Sequence, residues 1–384
     1  MGVLNARPVV DLPMTSGPAV LDTLPALLAA LDGTGPAVRP VRPGGASAPL
    51  GQSVVDSDVA FAVATSGSTG AARHVLLTAA AVRHAAAAGE AALGTDGDWL
   101  LALPTTGVGG LMVLVRAVLA GREPGLLDTS HPFTADRFAA AAATVPLGAA
   151  VSLVPTQLHR LLIDPVGVAA LQRFGAVLVG GAALPAADLA VAVEHGIRLV
   201  RSYGMTETCG GCVYDGQPLG GVAVDLDAGR LRIRGPLVAA GYLGVPFGPP
   251  FGTIAGQRAF TTGDTGTIDL QRKVTVTGRA DDVLISGGVN VAPLAVEDAL
   301  SAAHGVSEVG ITAVPDAEWG QAIVAVVVPA GPGPDLAELR RRAAALQPAA
   351  APRHVLLVDA LPTRGPGKLD RRRLAELAAE RLSR

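Results

Sequence analysis

From residue 58 to residue 200 the sequence switches repeatedly between two patterns. Short apolar runs at 58–64, 99–103, 149–154, 176–179 and 197–200 have the length of buried strands. Longer stretches at 77–93, 109–120, 134–143, 156–162 and 186–195 are rich in Ala and Leu and read as helices. A parallel neighbour needs a crossover connection, so this alternation builds α/β layers around a mainly parallel sheet. In open sheets of this kind, ligands sit beyond the carboxyl ends of the strands. The loops leaving those ends are therefore where chemistry belongs.

The loop after 197–200 reads Arg201-Ser202-Tyr203-Gly204-Met205-Thr206-Glu207-Thr208-Cys209-Gly210-Gly211-Cys212. Within five residues, Tyr203 offers a ring to stack on a heterocycle, Thr206 a hydroxyl for a phosphate oxygen, and Glu207 a carboxylate for Mg²⁺. Thr65-Ser66-Gly67-Ser68-Thr69-Gly70 follows the first strand and precedes helix 77–93. A strand, small hydroxyl-rich loop and helix in that order cradle phosphate through backbone N–H groups. It is not a Walker loop, because no Gly-Lys-Ser/Thr follows at the required spacing. The turn Gly180-Gly181-Ala182-Ala183 is small enough for a planar ring to lie against the backbone. Taken singly, each of these segments also reads as an ordinary surface turn.

Beyond residue 220 the pattern changes to short strands at 222–226, 230–234, 259–262, 265–270 and 273–277, separated by Gly or Asp turns. This predicts a small, barrel-like antiparallel region closing the large domain. Thr262-Gly263-Asp264 puts a carboxylate at a strand end, where it can accept both hydroxyls of a ribose. The run Gly278-Arg279-Ala280-Asp281-Asp282 marks a boundary, giving a large domain at 1–280 and a small one at 281–384. The small domain reads as α+β: helices 293–301, 336–346 and 371–382, strands 306–314, 322–329 and 355–358. At the other end, 1–57 is Pro/Gly-rich with one amphipathic helix at 20–31.

Composition removes several classes. Hydrophobic residues make up 49% of the 384 and charged residues 16%, which supports a sizeable core and argues against global disorder. A net charge of −3 gives no footprint for nucleic acid. No apolar run approaches the ~20 residues of a membrane span. Residues 1–13 lack the pattern of a signal peptide, and two cysteines make no disulfide framework, so a reducing cytoplasm is expected. Only two of the 30 basic residues are lysines, Lys273 and Lys368. Where the chain needs generic positive charge it uses Arg, so a retained Lys points to a need for a compact ammonium. Lys368 ends the loop Leu361-Pro362-Thr363-Arg364-Gly365-Pro366-Gly367.

Five of these segments, in this order, resemble the acyl-adenylate-forming superfamily of acyl-CoA synthetases, adenylation domains and luciferases: 65–70, 203–207, 262–264, 278–282 and 367–368. The resemblance spans about residues 55 to 375. Two further stretches, 151–162 (VSLVPTQLHRLL) and 209–216 (CGGCVYDG), look like the o-succinylbenzoate–CoA ligases of menaquinone biosynthesis. The resemblance implies ATP, Mg²⁺ and CoA as reaction partners, with a small aromatic or keto acid as substrate. It implies that Thr65, Ser66, Gly67, Ser68, Thr69 and Gly70 hold the ATP β- and γ-phosphates. Gly181, Ala182 and Tyr203 would line the adenine, Thr206 would touch the α-phosphate, and Glu207 would bind Mg²⁺. Asp264 and Arg279 would hold the ribose, and Asp281 would be the hinge of a mobile lid. Lys368 would bridge the acid and the α-phosphate, and the 286–290 loop would help form the pantetheine tunnel.

Two departures stand out. The phosphate loop continues Gly70-Ala71-Ala72-Arg73, where the family usually has Gly-x-Pro-Lys. Thr105 and Thr106 stand where the family usually has aromatic or His residues beside the acyl pocket. They leave two alternatives open: a ligase for another aryl or acyl acid, and a homologue that binds nucleotide or acyl ligand without catalysis. Cys209 and Cys212 are one Cys-x-x-Cys without a second ligand pair, which favours packing beside the acyl pocket over a redox or zinc role. Homo-oligomerisation is left open.

Overall fold

Two sheets share one hydrophobic layer. The computed structural model describes residues 6–44, 53–65, 73–364 and 368–383, with Arg364 and Lys368 described by their backbone. The first sheet contains β1 (Ala6–Pro13), β2 (Ala37–Val41), β3 (Val54–Asp56), β4 (Val59–Thr65), β5 (Arg73–Thr78) and the two-residue β15 (Gly241–Tyr242), in the order β15-β5-β4-β2-β1-β3. The second contains β6 (Trp99–Leu101), β7 (Gly125–Leu126), β8 (Ala150–Leu153), β9 (Ala176–Val179), β10 (Leu199–Met205), β11 (Gly210–Tyr214) and β12 (Gln217–Pro218), in the order β12-β11-β10-β9-β8-β6-β7. Helices α1 (Leu24–Asp32), α2 (Ala79–Leu93) and α3 (Val108–Leu119) pack between the sheets. Helices α4 (Ala135–Ala142), α5 (Pro155–Leu162), α6 (Pro165–Leu171) and α7 (Ala186–Glu194) cover the outer face of the second sheet. Strand β9 shows why: Ala176 and Leu178 face the shared core, while Val177 and Val179 face the outer helices. Both faces of the strand are buried, so its sequence is a continuous apolar run rather than an alternation.

The mainly parallel expectation holds for the second sheet, where β7, β6, β8, β9 and β10 pair in parallel. The first sheet is mixed: β1–β2 and β2–β4 are parallel, but β4–β5 and β5–β15 are antiparallel. Residues 1–57 hold more structure than their Pro and Gly content implies, since β1, β2 and β3 all lie there. Arg39 of β2 is buried and reaches across to Asp11 of β1 with two bonds, at 2.5 and 2.7 Å. A charged pair inside a strand pair erases the apolar pattern that would have announced both strands.

The antiparallel region is made of β13 (Ala223–Asp227), β14 (Arg230–Arg234), β16 (Phe251–Ile254), β17 (Gln257–Ile268) and β18 (Val274–Arg279). The two strands expected at 259–262 and 265–270 are one, β17, which pairs with β14, β16 and β18. A register shift at Thr265/Gly266 lets it bend through the Gly-Asp that looked like a turn.

After the short helical turn Ala280–Asp282, the chain forms a hairpin of β19 (Leu284–Ser286) and β20 (Val289–Val291) and helix α8 (Pro293–Ser301). A sheet of β21 (Val306–Asp316), β22 (Gly320–Pro329) and β23 (His354–Leu357) follows, with α9 (Leu336–Leu346). The hairpin β24 (Thr363–Arg364) and β25 (Lys368–Leu369) and helix α10 (Arg371–Leu382) complete the chain. Gly287 and Gly288 both have positive φ, 57° and 76°, as a two-residue hairpin turn demands. Arg371 ties this region together. Its guanidinium donates to both oxygens of Glu297 at 2.8 and 2.9 Å and lies 2.9 Å from Asp282. Glu297 is buried and also accepts the Ile311 N–H. Arg371→Met is expected to destabilise residues 282–383 by about 3 kcal/mol, because it strands a buried carboxylate. Hydrogen exchange should show this as lost protection in β21 and α10.

Candidate functional site

Strand β10 runs past the expected 197–200 to Met205, so Tyr203 belongs to the strand and the loop proper is Thr206–Cys209. Antiparallel β11 returns at once, with Gly204 opposite Gly211 and Met205 opposite Gly210. A Cβ on Gly204 would lie 2.0 Å from the Gly210 carbonyl oxygen, so the close approach of the two strands requires glycine. Thr208 has no solvent exposure; its hydroxyl accepts the Met205 N–H at 3.0 Å and donates to the Gly210 carbonyl at 2.7 Å. Cys209 turns the chain with a left-handed φ of 52°. This local network fixes the turn that carries Thr206 and Glu207.

Glu207 is 8% exposed. Its carboxylate Oε1 accepts a hydrogen bond from Tyr242 Oη at 2.8 Å, and its carbonyl accepts the Ala239 N–H at 2.9 Å. Tyr242 belongs to β15, paired with Val75 of β5. The Arg73 guanidinium lies 4.5 Å from the centroid of the Tyr242 ring. Burial, and then the Glu207 carboxylate, push the Tyr242 hydroxyl well above its ordinary pKa, so it remains a donor.

Asp264, on β17, stands opposite Arg279 at the end of β18. Its Oδ2 accepts from Tyr203 Oη at 2.8 Å and its Oδ1 from Arg279 Nη1 at 3.1 Å. Its backbone N–H donates to the buried Thr262 hydroxyl at 3.0 Å. Burial, followed by the charge of Asp264, raises the Tyr203 pKa far above the ordinary phenol value. A carboxylate has about four lone-pair sites, and these two donors leave about two for hydroxyls of a ligand. Tyr203 thus bonds Asp264 while sitting four residues before Glu207, which brings both carboxylates to one strand end.

The phosphate-loop expectation is corrected in one respect. The strand β4 is followed not by a helix but by β5, antiparallel to it, with Thr65 paired to Arg73. Among the described residues, the segment is flanked by two paired strands rather than by a strand and a helix. Helix α2 starts only after β5, capped by the Thr78 hydroxyl. Ser66, Gly67, Ser68, Thr69 and Gly70 lie outside the described residues, while Thr65 ends β4 with its hydroxyl 3.3 Å from the Arg73 carbonyl. Gly181 and Ala182 sit exposed after β9, and Gly181 has a φ of 87°. Lys368 pairs through its backbone with Arg364, and its side chain lies outside the described residues. Asp281 is exposed and 3.4 Å from Arg230. A cleft of about 640 Å³ between α2 and the start of β10 contains none of the expected site residues.

Cys209 and Cys212 are buried and unlinked. Burial pushes the Cys212 thiol up to about 12 and Cys209 further, so both stay protonated and inert. Gln157 and His159 of the 151–162 stretch make structural bonds. Gln157 caps α5 through the Val154 N–H, and His159 Nδ1 lies 2.9 Å from Asp188 of α7. Sequence reasoning missed Thr208 and Tyr242.

Residues 16–243 match the model of the AMP-binding enzyme family, and residues 295–368 match its C-terminal domain. The chain belongs to this family of acyl-adenylate-forming enzymes. It is 41% identical to a probable 2-succinylbenzoate–CoA ligase of Mycobacterium tuberculosis, over 93% of this chain and 95% of that protein. A 2-succinylbenzoate–CoA ligase of Listeria monocytogenes is 31% identical over 83% of this chain and 70% of its own length. Among solved structures, the o-succinylbenzoate CoA synthetase of Bacillus subtilis with its acyl-adenylate intermediate aligns with a TM-score of 0.70 at 25% identity, covering 91% of this chain and 80% of that one. The wild-type Escherichia coli MenE with a bound analogue aligns at 0.72 and 26%, covering 99% and 89%. In this family member, the first matched span ends one residue after Tyr242 and the second ends on Lys368. Asp264, Arg279 and Asp281 fall between the two.

Proposed function

We propose that this chain is an ATP-dependent o-succinylbenzoate–CoA ligase that forms an acyl-adenylate and then transfers the acyl group to CoA. The observation that carries the reading is that Tyr203, four residues before Glu207 at the end of β10, bonds Asp264, which places a carboxylate for the sugar near a carboxylate for the phosphate side. The naming of its relatives supports the choice of acid. In the first half-reaction a carboxylate oxygen of the acid bonds to the α-phosphorus of ATP, and pyrophosphate leaves with the electron pair of the broken P–O bond. In the second, the CoA thiol loses its proton, its sulfur bonds to the acyl carbon, and AMP leaves.

In this reading Asp264 and Arg279 orient the ribose, Gly181, Ala182 and Tyr203 border the adenine, and Thr206 meets the α-phosphate. Residues 65–70 hold the outer phosphates. Glu207 fits a Mg²⁺ ligand: among the described residues its carboxylate accepts only the Tyr242 bond, leaving one oxygen for an ion that also takes phosphate oxygens. When bound, the ion supplies charge neutralisation on the phosphates. Lys368 adds an ammonium where the transition state gains charge, which stabilises it more than the ground state. The lid, residues 281–384, would turn about Asp281, admit the thiol through the 286–290 hairpin and exclude water from the mixed anhydride. The products and cosubstrates belong in the cytoplasm; among the described residues no helix is long and apolar enough to cross a membrane.

Pyrophosphate release with a panel of acids tests the reading. Succinylbenzoate is expected to exceed benzoate, succinate and medium-chain fatty acids by at least about 100-fold in kcat/KM, because a site built for polar groups rejects acids lacking them. Turnover confined to another acid would overturn the substrate, with buried Thr105 as the first suspect. No turnover with any acid, together with intact ATP binding, would leave the binding-only homologue.

A further inference from the structure

Tyr242 stands at a crossing of three segments that are distant in sequence. Its backbone adds β15 to β5, the strand that begins where the residue 66–72 loop ends. Its hydroxyl reaches Glu207, 35 residues away, inside a buried pocket. Its ring is held by Arg73 on one side, at 4.5 Å, and by the edge of Phe251, at 5.1 Å. Phe251 in turn lies 4.8 Å from Phe260, so the ring is packed into the core of the antiparallel region.

A carboxylate on a short turn can rotate about its side-chain torsions, and a metal needs one oxygen at a fixed place. A donor on the other oxygen removes that freedom. Among the described residues Tyr242 supplies the one hydrogen bond made to the Glu207 carboxylate. Arg73 adds a second link. It is the first residue after the loop, and its planar cation stacks on the ring that sets the carboxylate. Arg73 at the start of β5, the ring of Tyr242 and the carboxylate of Glu207 therefore form one connected line from β5 to the turn after β10.

We propose that Tyr242 is a positioning residue: its hydroxyl orients Glu207 for the divalent ion of the metal–ATP complex, with Arg73 stacked on its ring. The proposal rests on the reading of Glu207 as an ion ligand. Tyr242→Phe keeps the ring and its packing and removes only the donor.

The measurement is Mn²⁺ binding in the presence of ATP, followed by electron paramagnetic resonance of the free ion, alongside calorimetric titration of ATP in chelator. For Tyr242→Phe, Mn²⁺ affinity is expected to fall about tenfold, the usual effect of removing a group that orients a metal ligand, while metal-free ATP affinity stays unchanged. Tyr242→Gln, which retains a donor, is expected to lie between the two, and it serves as the variant if the Phe protein does not fold. Equal loss of metal-free ATP affinity would make the role of Tyr242 merely structural and overturn the proposal. Wild-type Mn²⁺ affinity in Tyr242→Phe, with strong loss in Glu207→Gln, would overturn it while sparing Glu207. Wild-type Mn²⁺ affinity in Glu207→Gln would overturn the reading of Glu207 itself.

Discussion

Lys368→Ala is expected to slow acyl-adenylate formation by at least about 100-fold and to leave thioester formation from preformed acyl-adenylate within a few-fold of wild type. The size follows from what one charged donor at a developing oxyanion contributes in a dry site. The selectivity follows from geometry and use. Lys368 is one of two lysines in a chain that otherwise writes Arg. Its backbone is fixed in the β24–β25 hairpin opposite Arg364, and Asp370 begins α10 two residues later by capping the Arg373 N–H. In the proposed reaction an ammonium at this position would serve the step in which two anions meet and would not be needed when the thiol is the nucleophile. Rapid-quench assays of each half-reaction decide it. If both survive, another group meets the α-phosphate.

Asp264→Ala is expected to weaken ATP binding about 100-fold, close to 3 kcal/mol, the combined contribution of two hydroxyl hydrogen bonds to a charged acceptor. The substitution has a second effect, because it removes the acceptor of the deeply buried Tyr203 hydroxyl and the partner of Arg279. Titration with ATP and 2′-deoxy-ATP separates the two. Wild type should prefer ATP about tenfold, and Asp264→Ala should not distinguish them. Tyr203→Phe, which frees an oxygen of Asp264 without removing it, should keep the preference. A preference that survives in Asp264→Ala would show that the ribose is held elsewhere.

The helices of residues 281–384 were legible to the residue. Pro293 at the first turn of α8, and Asp335 and Asp370 at the N-caps of α9 and α10, mark their own starts, and each Asp accepts the N–H it is spaced to accept. In the second sheet β6, β8 and β9 were legible because they are buried on both faces and lie between helices. Of the first sheet only β4 was, as the apolar run 58–64. Pro8, Pro13 and Pro40 and the buried Arg39–Asp11 pair disguise β1 and β2, and β5 runs into α2 without a break in apolar content. The site divides in the same way. Tyr203, Glu207 and Asp264 were readable from side-chain chemistry at strand ends. Tyr242 was not, because a two-residue strand has no period and its bond to Glu207 depends on a pairing that only the folded sheet creates.

The hairpin β4–β5 changes what an anion would experience on arrival. Residues Thr65 and Arg73 face each other across the ladder, so the two ends of the intervening seven residues were gathered when the sheet formed. Loop closure, a term that grows with the logarithm of length, therefore belongs to folding and not to binding. In the proposed reading, a nucleotide held there would meet a segment whose two ends are already tied together across the ladder.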